Sequence, residues 1–260
     1  MYNPPDYLWA IVIAGVGAIA AATGVVLYQG AERAGLGRRS AALMGAAAAV
    51  LFGGWFAGSA VIADNGWYHT RLGHGLPWMP IAVVAFMGTL LALSRIPAVA
   101  RALAAPGMES RLLWPHLFRI EGVAFLLYLA LGHLPAVFAL PAGLGDIATA
   151  IAAPLVARRF AQGSRHAALW LNAFGLTDLV VALALGAVTG YGLLHTTPSG
   201  APITELPLVL VPTVGVPLLF AVHVTSLAAL RRARRAAASA AGPLSAGAGP
   251  RVALAPASPC

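Results

Sequence analysis

The chain has no lysine, one cysteine (Cys260) and few charges of either sign. A single cysteine excludes an internal disulfide framework and any cysteine-based metal or iron–sulfur site. Without lysine there is no Schiff base, so a retinal protein of the usual kind is excluded. Only 9% of the residues are charged and 60% are hydrophobic. A soluble domain of this size needs more polar surface, so the chain belongs in a lipid bilayer.

Most of the ionic residues are arginines, which give a formal net charge of +8. They stand in short clusters between apolar runs and are not interleaved with aromatic residues on one face. This distribution is typical of membrane topology signals and indicates no nucleic-acid partner.

The apolar runs are of a length that predicts transmembrane helices, each of which needs about 20 residues. Membrane β-strands are about half as long and alternate polar with apolar residues, which these runs do not. The sequence therefore predicts an all-α, polytopic membrane helix bundle with seven transmembrane helices. The predicted spans are 8–28, 41–63, 78–93, 113–133, 136–157, 167–188 and 208–230.

Arginine clusters follow the first, third, fifth and seventh spans, whereas the other loops hold only Arg71. The positive-inside rule then predicts an outside N-terminus and a cytoplasmic C-terminus. Residues 1–235 form the predicted transmembrane domain. Residues 236–260 are rich in Ala, Gly, Pro and Ser and predict a disordered cytoplasmic tail, whose basic start favours contact with anionic membrane lipids.

A Leu-Pro pair opens each of the three predicted helices that return from the outer face. The pairs are Leu76-Pro77, Leu134-Pro135 and Leu206-Pro207. Proline suits the first turn of a helix, where its missing N–H costs nothing. The pattern predicts one leading span followed by three similar helical hairpins.

The fifth predicted span carries Pro141, Gly143, Gly145 and Asp146. Spans four and five leave room only for a tight turn at 133–135, which places Asp146 near the middle of the membrane. Proline and glycine weaken the hydrogen bonds of a helix interior, so we predict a broken fifth helix. Broken helices at the midplane are where many transporters bind ions and solutes. Asp146 would alternatively only cap the lower half-helix.

The seventh predicted span has a related pattern in Pro212, Gly215 and Pro217, which predicts a bend or interruption. His223 follows at membrane depth. It is a candidate for the same polar site, or a neutral histidine that hydrogen-bonds to a neighbouring helix.

Asp178 occupies the centre of the sixth predicted span. A buried carboxylate there must be paired, hydrogen-bonded or protonated, and the expected partner is either Arg119 or His223. Asn172 lies about 120° away around the same helix and is expected to join helices to one another.

Arg119 and Glu121 lie two residues apart in the fourth span, so they point to different sides and do not pair with each other. Arg119 is either a site residue or extends its side chain to the cytoplasmic surface. Glu121 is too short for that and needs an internal partner, or it must stay neutral.

No cofactor is predicted. On the outer face His69 and His74, with Asp64 and His195, lack the tight spacing of a metal site, so no metal is expected. A b-type haem is the alternative, but it needs two facing histidines inside the bundle, and only His223 is clearly at depth.

The run from Phe118 to Asp146, with its Leu134-Pro135 and Gly-Leu-Gly-Asp elements, resembles stretches of uncharacterised multi-pass membrane proteins of soil bacteria. The segments 172–178 and 207–223 are similar to theirs as well. The resemblance implies a bacterial plasma-membrane protein with a helical bundle, and it brings no activity to transfer.

These features favour a transporter or channel-like permease for a small solute or proton, with Asp146 and Asp178 as carriers. Glu121, Arg119 and His223 would line the path. One alternative is a membrane-embedded enzyme that acts on a lipid or isoprenoid with a carboxylic general acid. The other is a structural or assembly subunit, in which these groups pair and seal and the chain binds further copies or a complex partner.

Overall fold

The computed structural model describes residues 3–69 and 76–241 of the chain, and this part is helical without a strand. The α-helices are α1 (Asp6–Arg33), α2 (Arg38–Asp64), α3 (Trp78–Leu93), α4 (Pro97–Leu103), α5 (Met108–Arg111), α6 (Val123–Ala130), α7 (Ala136–Ala161), α8 (Arg165–Gly190) and α9 (Val216–Ala241). A 3₁₀ segment (Trp114–Gly122) connects α5 to α6, and a π segment (Val211–Gly215) precedes α9. Short 3₁₀ turns lie at Trp67–His69 and Ala201–Thr204.

Six of the described stretches are long and apolar enough to cross a membrane. They are α1, α2, Met108–Ala130, α7, α8 and Val211–Arg235. The pair α3 and α4, which meet at an angle of 86°, brings the number to seven if it counts as one span. The predicted all-α membrane bundle is thereby confirmed. With 16 residues, α3 is about 24 Å long, shorter than the hydrocarbon core of about 30 Å.

The helices pack around the last span, Val211–Arg235. It is the most buried of the six stretches named above. α7 packs against α8 and the 3₁₀ segment, while α1 packs against α2, α4 and the 3₁₀ segment. In two of the three predicted hairpins the helices pack against each other, α6 with α7 and α8 with α9. In the remaining predicted hairpin, α2 packs mainly against α1. The predicted tight turn before α7 is present. There Gly132 has a φ of 76°, a left-handed conformation that glycine adopts without strain, and Pro135 precedes the helix.

The predicted break in the fifth span is wrong, because α7 continues as one α-helix through Pro141, Gly143 and Gly145. Pro141 lies in the second turn, where it removes a single backbone hydrogen bond. Both glycines stay helical because close packing against α8 and the 3₁₀ segment holds them in place, as tertiary contacts override weak helix propensity.

The predicted irregularity of the seventh span is present. The π segment contains Pro212 and Gly215, and Pro217 lies in the first turn of α9. A π-helix widens the backbone ring by one residue, and such segments are frequent at functional sites.

At its far end α9 continues to Ala241, so the first six residues of the predicted tail are helical. The rest of that tail lies outside the described residues, as do Arg71 and His74.

Candidate functional site

A fully buried arginine joins three spans of the bundle. Arg119, with 0% of its side chain exposed, donates from Nε to Asp146 Oδ1 of α7 at 2.7 Å. Its Nη2 donates to Asp178 Oδ2 of α8. All three residues lie near the middle of their helical spans. Charge-assisted hydrogen bonds of this kind are among the strongest in proteins, and a buried arginine requires them.

The predicted partnership of Asp178 with Arg119 is thus confirmed. The idea that Arg119 extends to the cytoplasmic surface is wrong, because the span begins at Met108 rather than near residue 113. The longer span moves Arg119 from the end of the helix to its middle, where the two carboxylates of α7 and α8 surround it.

The remaining guanidinium nitrogen faces the eighth and ninth helices. Arg119 Nη1 lies 3.4 Å from the backbone oxygen of Gly175 and 3.4 Å from His223 Nε2. Because an arginine can only donate, the Nε2 atom of His223 is the acceptor in this contact. His223 is therefore a neutral imidazole with its proton on Nδ1.

The other side of His223 agrees with this tautomer. Its Nδ1 lies 3.0 Å from Asn172 Oδ1, and Asn172 Nδ2 donates to Ala168 O at 2.8 Å and to Ser226 Oγ at 3.1 Å. The amide nitrogen is thus occupied as a donor, which leaves Oδ1 to accept from His223 Nδ1–H. Asn172 joins α8 to α9 as predicted, and it also fixes the orientation of His223 toward Arg119.

The 3₁₀ segment brings the cluster residues of the fourth span into one row. A 3₁₀-helix has three residues per turn, so residues i and i+3 eclipse. His116, Arg119 and Gly122 follow this spacing and are all buried. Glu121 is then about 120° from Arg119 around the segment and faces elsewhere. Runs longer than three to four residues are uncommon for this helix type, and here the run has 9.

His116 belongs to the site and was not predicted from the sequence. Its ring stacks on His223 with centroids 3.8 Å apart and planes 19° from parallel. Neither ring nitrogen has a hydrogen-bond partner among the described residues. The sequence signal for His116 is its position three residues before Arg119. It was missed because the predicted start of the span, at residue 113, placed His116 too near the membrane surface. Rings stacked this closely leave no space for a porphyrin between them, so this pair does not fit haem b.

Three glycines let the backbones approach closely enough for the cluster to form. A methyl group added to Gly175 would lie 2.5 Å from His223 Nε2, and one added to Gly143 would lie 3.0 Å from the oxygen of Gly122. On Gly145 it would overlap the carboxylate of Asp178. The glycines predicted to break α7 therefore make room for neighbouring side chains and backbone.

Glu121 is separate from the cluster, although it is equally buried with 4% exposure. Its carboxyl group lies between Gly15 of α1 and Gly215 of the π segment. Its Oε2 atom is buried and has no hydrogen-bond partner in the part of the chain that the structure describes. The predicted site residues thus divide into an Arg119 cluster (Arg119, Asp146, Asp178, His223, with Asn172 behind) and an isolated Glu121.

An apolar cavity of about 240 Å³ lies among α1, α2, α3 and α9. No carboxylic acid lines it, and Thr23, Ser94 and Thr225 are its only hydroxyl residues. A second cavity of about 30 Å³ is lined by Phe125 and Phe138 and also lacks a carboxylic acid. No residue of the Arg119 cluster lines either of these two cavities.

On the predicted outer face, His69 Nδ1 lies 2.9 Å from Thr204 Oγ1, a contact that joins two short 3₁₀ turns. Within residues 3–69 and 76–241, no group of three or more His, Cys, Asp and Glu side chains is arranged to hold a metal ion. Trp67 and Trp78 pack there with ring centroids 5.7 Å apart.

The apolar helices and the buried ionic cluster define a multi-pass helical membrane protein. The chain belongs to the family described as Domain of unknown function (DUF8737), which matches residues 76–231, more than half of its length. The matched region contains the whole Arg119 cluster but not α1. No curated protein and no solved structure matches the chain.

Proposed function

We propose that this protein is an integral membrane transport protein that carries protons through the Arg119 cluster. The observation that supports this most is the complete burial of Arg119 between Asp146 and Asp178 at mid-span. Ionisable residues in the interior of a membrane protein are costly, and they mark ion pathways and proton relays.

The charge balance of the cluster favours a proton as the transported species. One guanidinium faces two carboxylates, which leaves one negative charge in excess when both are ionised. An uncompensated charge is strongly disfavoured in a buried site. A proton on Asp146 or Asp178 restores neutrality without needing further space. No residue of the cluster lines either of the two cavities described above, so neither of them holds a larger solute beside it.

The 3₁₀ segment supplies an element able to change conformation. Its nine residues would turn by about 100° per residue in an α-helix instead of about 120°. That change would rotate Arg119 away from one carboxylate while the neighbouring turn stays in place. Proton exchange at Asp178, whose side chain is 9% exposed, would accompany this step.

The same proposal includes a bacterial plasma-membrane location, with the N-terminus outside and the C-terminus in the cytoplasm. The arginine clusters after the first, third, fifth and seventh spans support this orientation.

The two alternatives are less well supported by the geometry. A lipid-modifying enzyme needs its acid in a cavity that admits an acyl or isoprenoid chain, and the 240 Å³ cavity has no carboxylic acid. A purely structural subunit would also explain a buried, fully paired cluster. A pair of uncharged side chains would join the helices with a smaller desolvation free energy than one cation with two carboxylates.

Proton flux in proteoliposomes tests the transport proposal. The purified protein is reconstituted with a pH-sensitive dye inside, and a potassium diffusion potential drives proton entry. The wild type should acidify the lumen well above the rate of empty liposomes, and Asp178→Asn should lower that excess at least tenfold. Asp64→Asn, at the exposed end of α2, is the matched control and should keep the wild-type rate. A wild-type rate equal to that of empty liposomes would overturn the proposal.

Cys260 offers a direct test of the orientation because it is the only thiol of the chain. A membrane-impermeant maleimide should label it only after cells are lysed. In a Cys260→Ser background, Ser199→Cys places a thiol on the predicted outer face and should be labelled in intact cells. The reverse pattern would contradict the proposed topology.

A further inference from the structure

Glu121 forms no ion pair with any described residue, whereas Asp146 and Asp178 both pair with Arg119. Every guanidinium nitrogen of Arg119 is engaged within the cluster by Asp146, Asp178, His223 or Gly175. Glu121 lies on a different side of the 3₁₀ segment. Its Oε2 atom is fully buried and accepts no hydrogen bond from residues 3–69 and 76–241. An ionised carboxylate in that position would keep the full cost of its lost hydration.

Glycines from two neighbouring elements enclose this carboxyl group. A methyl group on Gly15 of α1 would overlap the Glu121 side chain and lie 2.9 Å from its Cδ atom. On the opposite side, a methyl group on Gly215 would lie 3.5 Å from Oε1. Glycine at both positions gives the carboxyl group a flat apolar pocket between α1 and the π segment. Val16 and Ile19 of α1 also lie within 4.0 Å of the Gly215 position.

None of the enclosing elements brings a charge to the pocket. In α1 the facing residues are Gly15, Val16 and Ile19, and the π segment has no titratable residue. The charged groups that act on Glu121 are Asp146, which repels a second negative charge, and Arg119, which is already shared between two carboxylates. The surroundings therefore suit a neutral acid and not an anion.

We propose that Glu121 is a proton-binding site of its own, in which the carboxyl group is held protonated between Gly15 of α1 and Gly215 of the π segment. Loss of the proton leaves an unpaired anion in an apolar pocket, so α1 or the π segment must then move away. This site requires no transport through the Arg119 cluster, and its test uses a different measurement.

Infrared difference spectroscopy at neutral pH tests the proposal directly. The spectrum of the wild type minus that of Glu121→Gln should contain the carbonyl band of a protonated carboxylic acid, which shifts downward in D₂O. A carboxylate band in its place would overturn the proposal. That result would instead indicate a bound cation, and sodium titration of the carboxylate band would identify it. Glu121→Gln is a suitable variant because its amide is neutral and nearly isosteric with the acid.

Two glycines of one helix provide a matched pair of variants. Gly15→Ala should displace the Glu121 carboxyl group and shift or abolish its acid band. Gly17→Ala has nothing within 4 Å of the added methyl group and should leave the band unchanged. Equal spectra for both variants would contradict the proposed pocket.

Stability as a function of pH gives a second measurement that requires no access by a reagent. A group that stays protonated in the folded state contributes stability that is fully present at low pH and declines once the pH is high enough for the same group to ionise in the unfolded chain. The stability of the wild type should therefore fall relative to that of Glu121→Gln as the pH rises from the acid range, where unfolded glutamate releases its proton and the folded protein retains it. Parallel curves for the two proteins would contradict a protonated Glu121. Proton flux through the cluster can fail while both of these results hold, so the two proposals are distinguishable.

Discussion

Gly145 of α7 lies directly against the carboxylate of Asp178 on α8, so closely that any side chain at position 145 would overlap it. The residue next to Gly145 is Asp146, which holds the other side of Arg119. Two consecutive residues of α7 therefore serve the cluster. Asp146 pairs with Arg119, and Gly145 leaves the space that the Asp178 carboxylate occupies. This relationship explains why a glycine-rich stretch lies within an unbroken helix.

Gly145→Ala should destabilise the protein even though alanine is the better helix former. Helix propensity alone favours alanine by about 1 kcal/mol, whereas overpacking of a buried site costs roughly 1–3 kcal/mol and also displaces Asp178. We expect a net loss of about 1–2 kcal/mol in unfolding free energy measured in mixed micelles. The control is Gly58→Ala in α2, where the added methyl group has no neighbour within 4 Å. A Gly145→Ala protein as stable as that control would contradict the close packing of α7 and α8.

Replacement of the buried cation should be more damaging. Arg119→Met leaves two carboxylates without their partner, and breaking a buried ion pair in this way costs roughly 3–5 kcal/mol. The same unfolding measurement on the triple variant Arg119→Met, Asp146→Asn, Asp178→Asn should recover most of that loss, because no unpaired charge remains. Arg95→Ala, at an exposed position, should change stability by less than about 0.5 kcal/mol. Failure of the triple variant to recover would indicate that the loss is one of packing and not of charge.

The composition and the apolar runs were enough to predict the fold class, because the length of a spanning helix is set by the bilayer. They were also enough to identify Arg119, Asp146, Asp178 and His223, since an ionisable residue in an apolar run stands out. The cost of leaving Asp178 unpaired predicted a partner, either Arg119 or His223, and the structure has Arg119 in that place.

The local backbone was harder to predict. Glycine and proline indicate either a weak helix or a close approach, and only the neighbouring helix decides between the two. In α7 the close approach to Asp178 dominates, so the helix stays intact. The 3₁₀ conformation of Trp114–Gly122 is set by packing against α1 and α7 and not by the local sequence. His116, three residues before Arg119, was missed because the predicted start of the span at 113 placed it too near the membrane surface.

The tautomer of His223 is a further expected outcome. The contacts place a proton on Nδ1, toward Asn172, and a lone pair on Nε2, toward Arg119. Nitrogen-15 NMR of the histidine rings should show a neutral Nδ1–H imidazole, identified by its loss in His223→Gln. Asn172→Leu removes the acceptor and should shift this resonance, with a stability loss of about 1–3 kcal/mol. Asn65→Leu, at the exposed end of α2, should leave the resonance unchanged. A cationic ring in the wild type would contradict the assignment.

The π segment should depend on one tryptophan of α2. Trp55 Nε1 donates to Thr213 O at 2.9 Å, and its ring stacks on Phe86 with centroids 4.6 Å apart. Trp55→Phe keeps an aromatic ring for the stack and removes the hydrogen bond, which is worth about 1 kcal/mol. Because local opening exposes amides in proportion to this free energy, hydrogen exchange at 211–217 should become about fivefold faster. Trp170→Phe, at a position 75% exposed, should not change it. Gly215 of the π segment also faces Glu121. Faster exchange in Trp55→Phe should therefore be accompanied by a weaker infrared acid band for Glu121. An unchanged band would show that the Glu121 pocket does not depend on the hydrogen bond between Trp55 and Thr213.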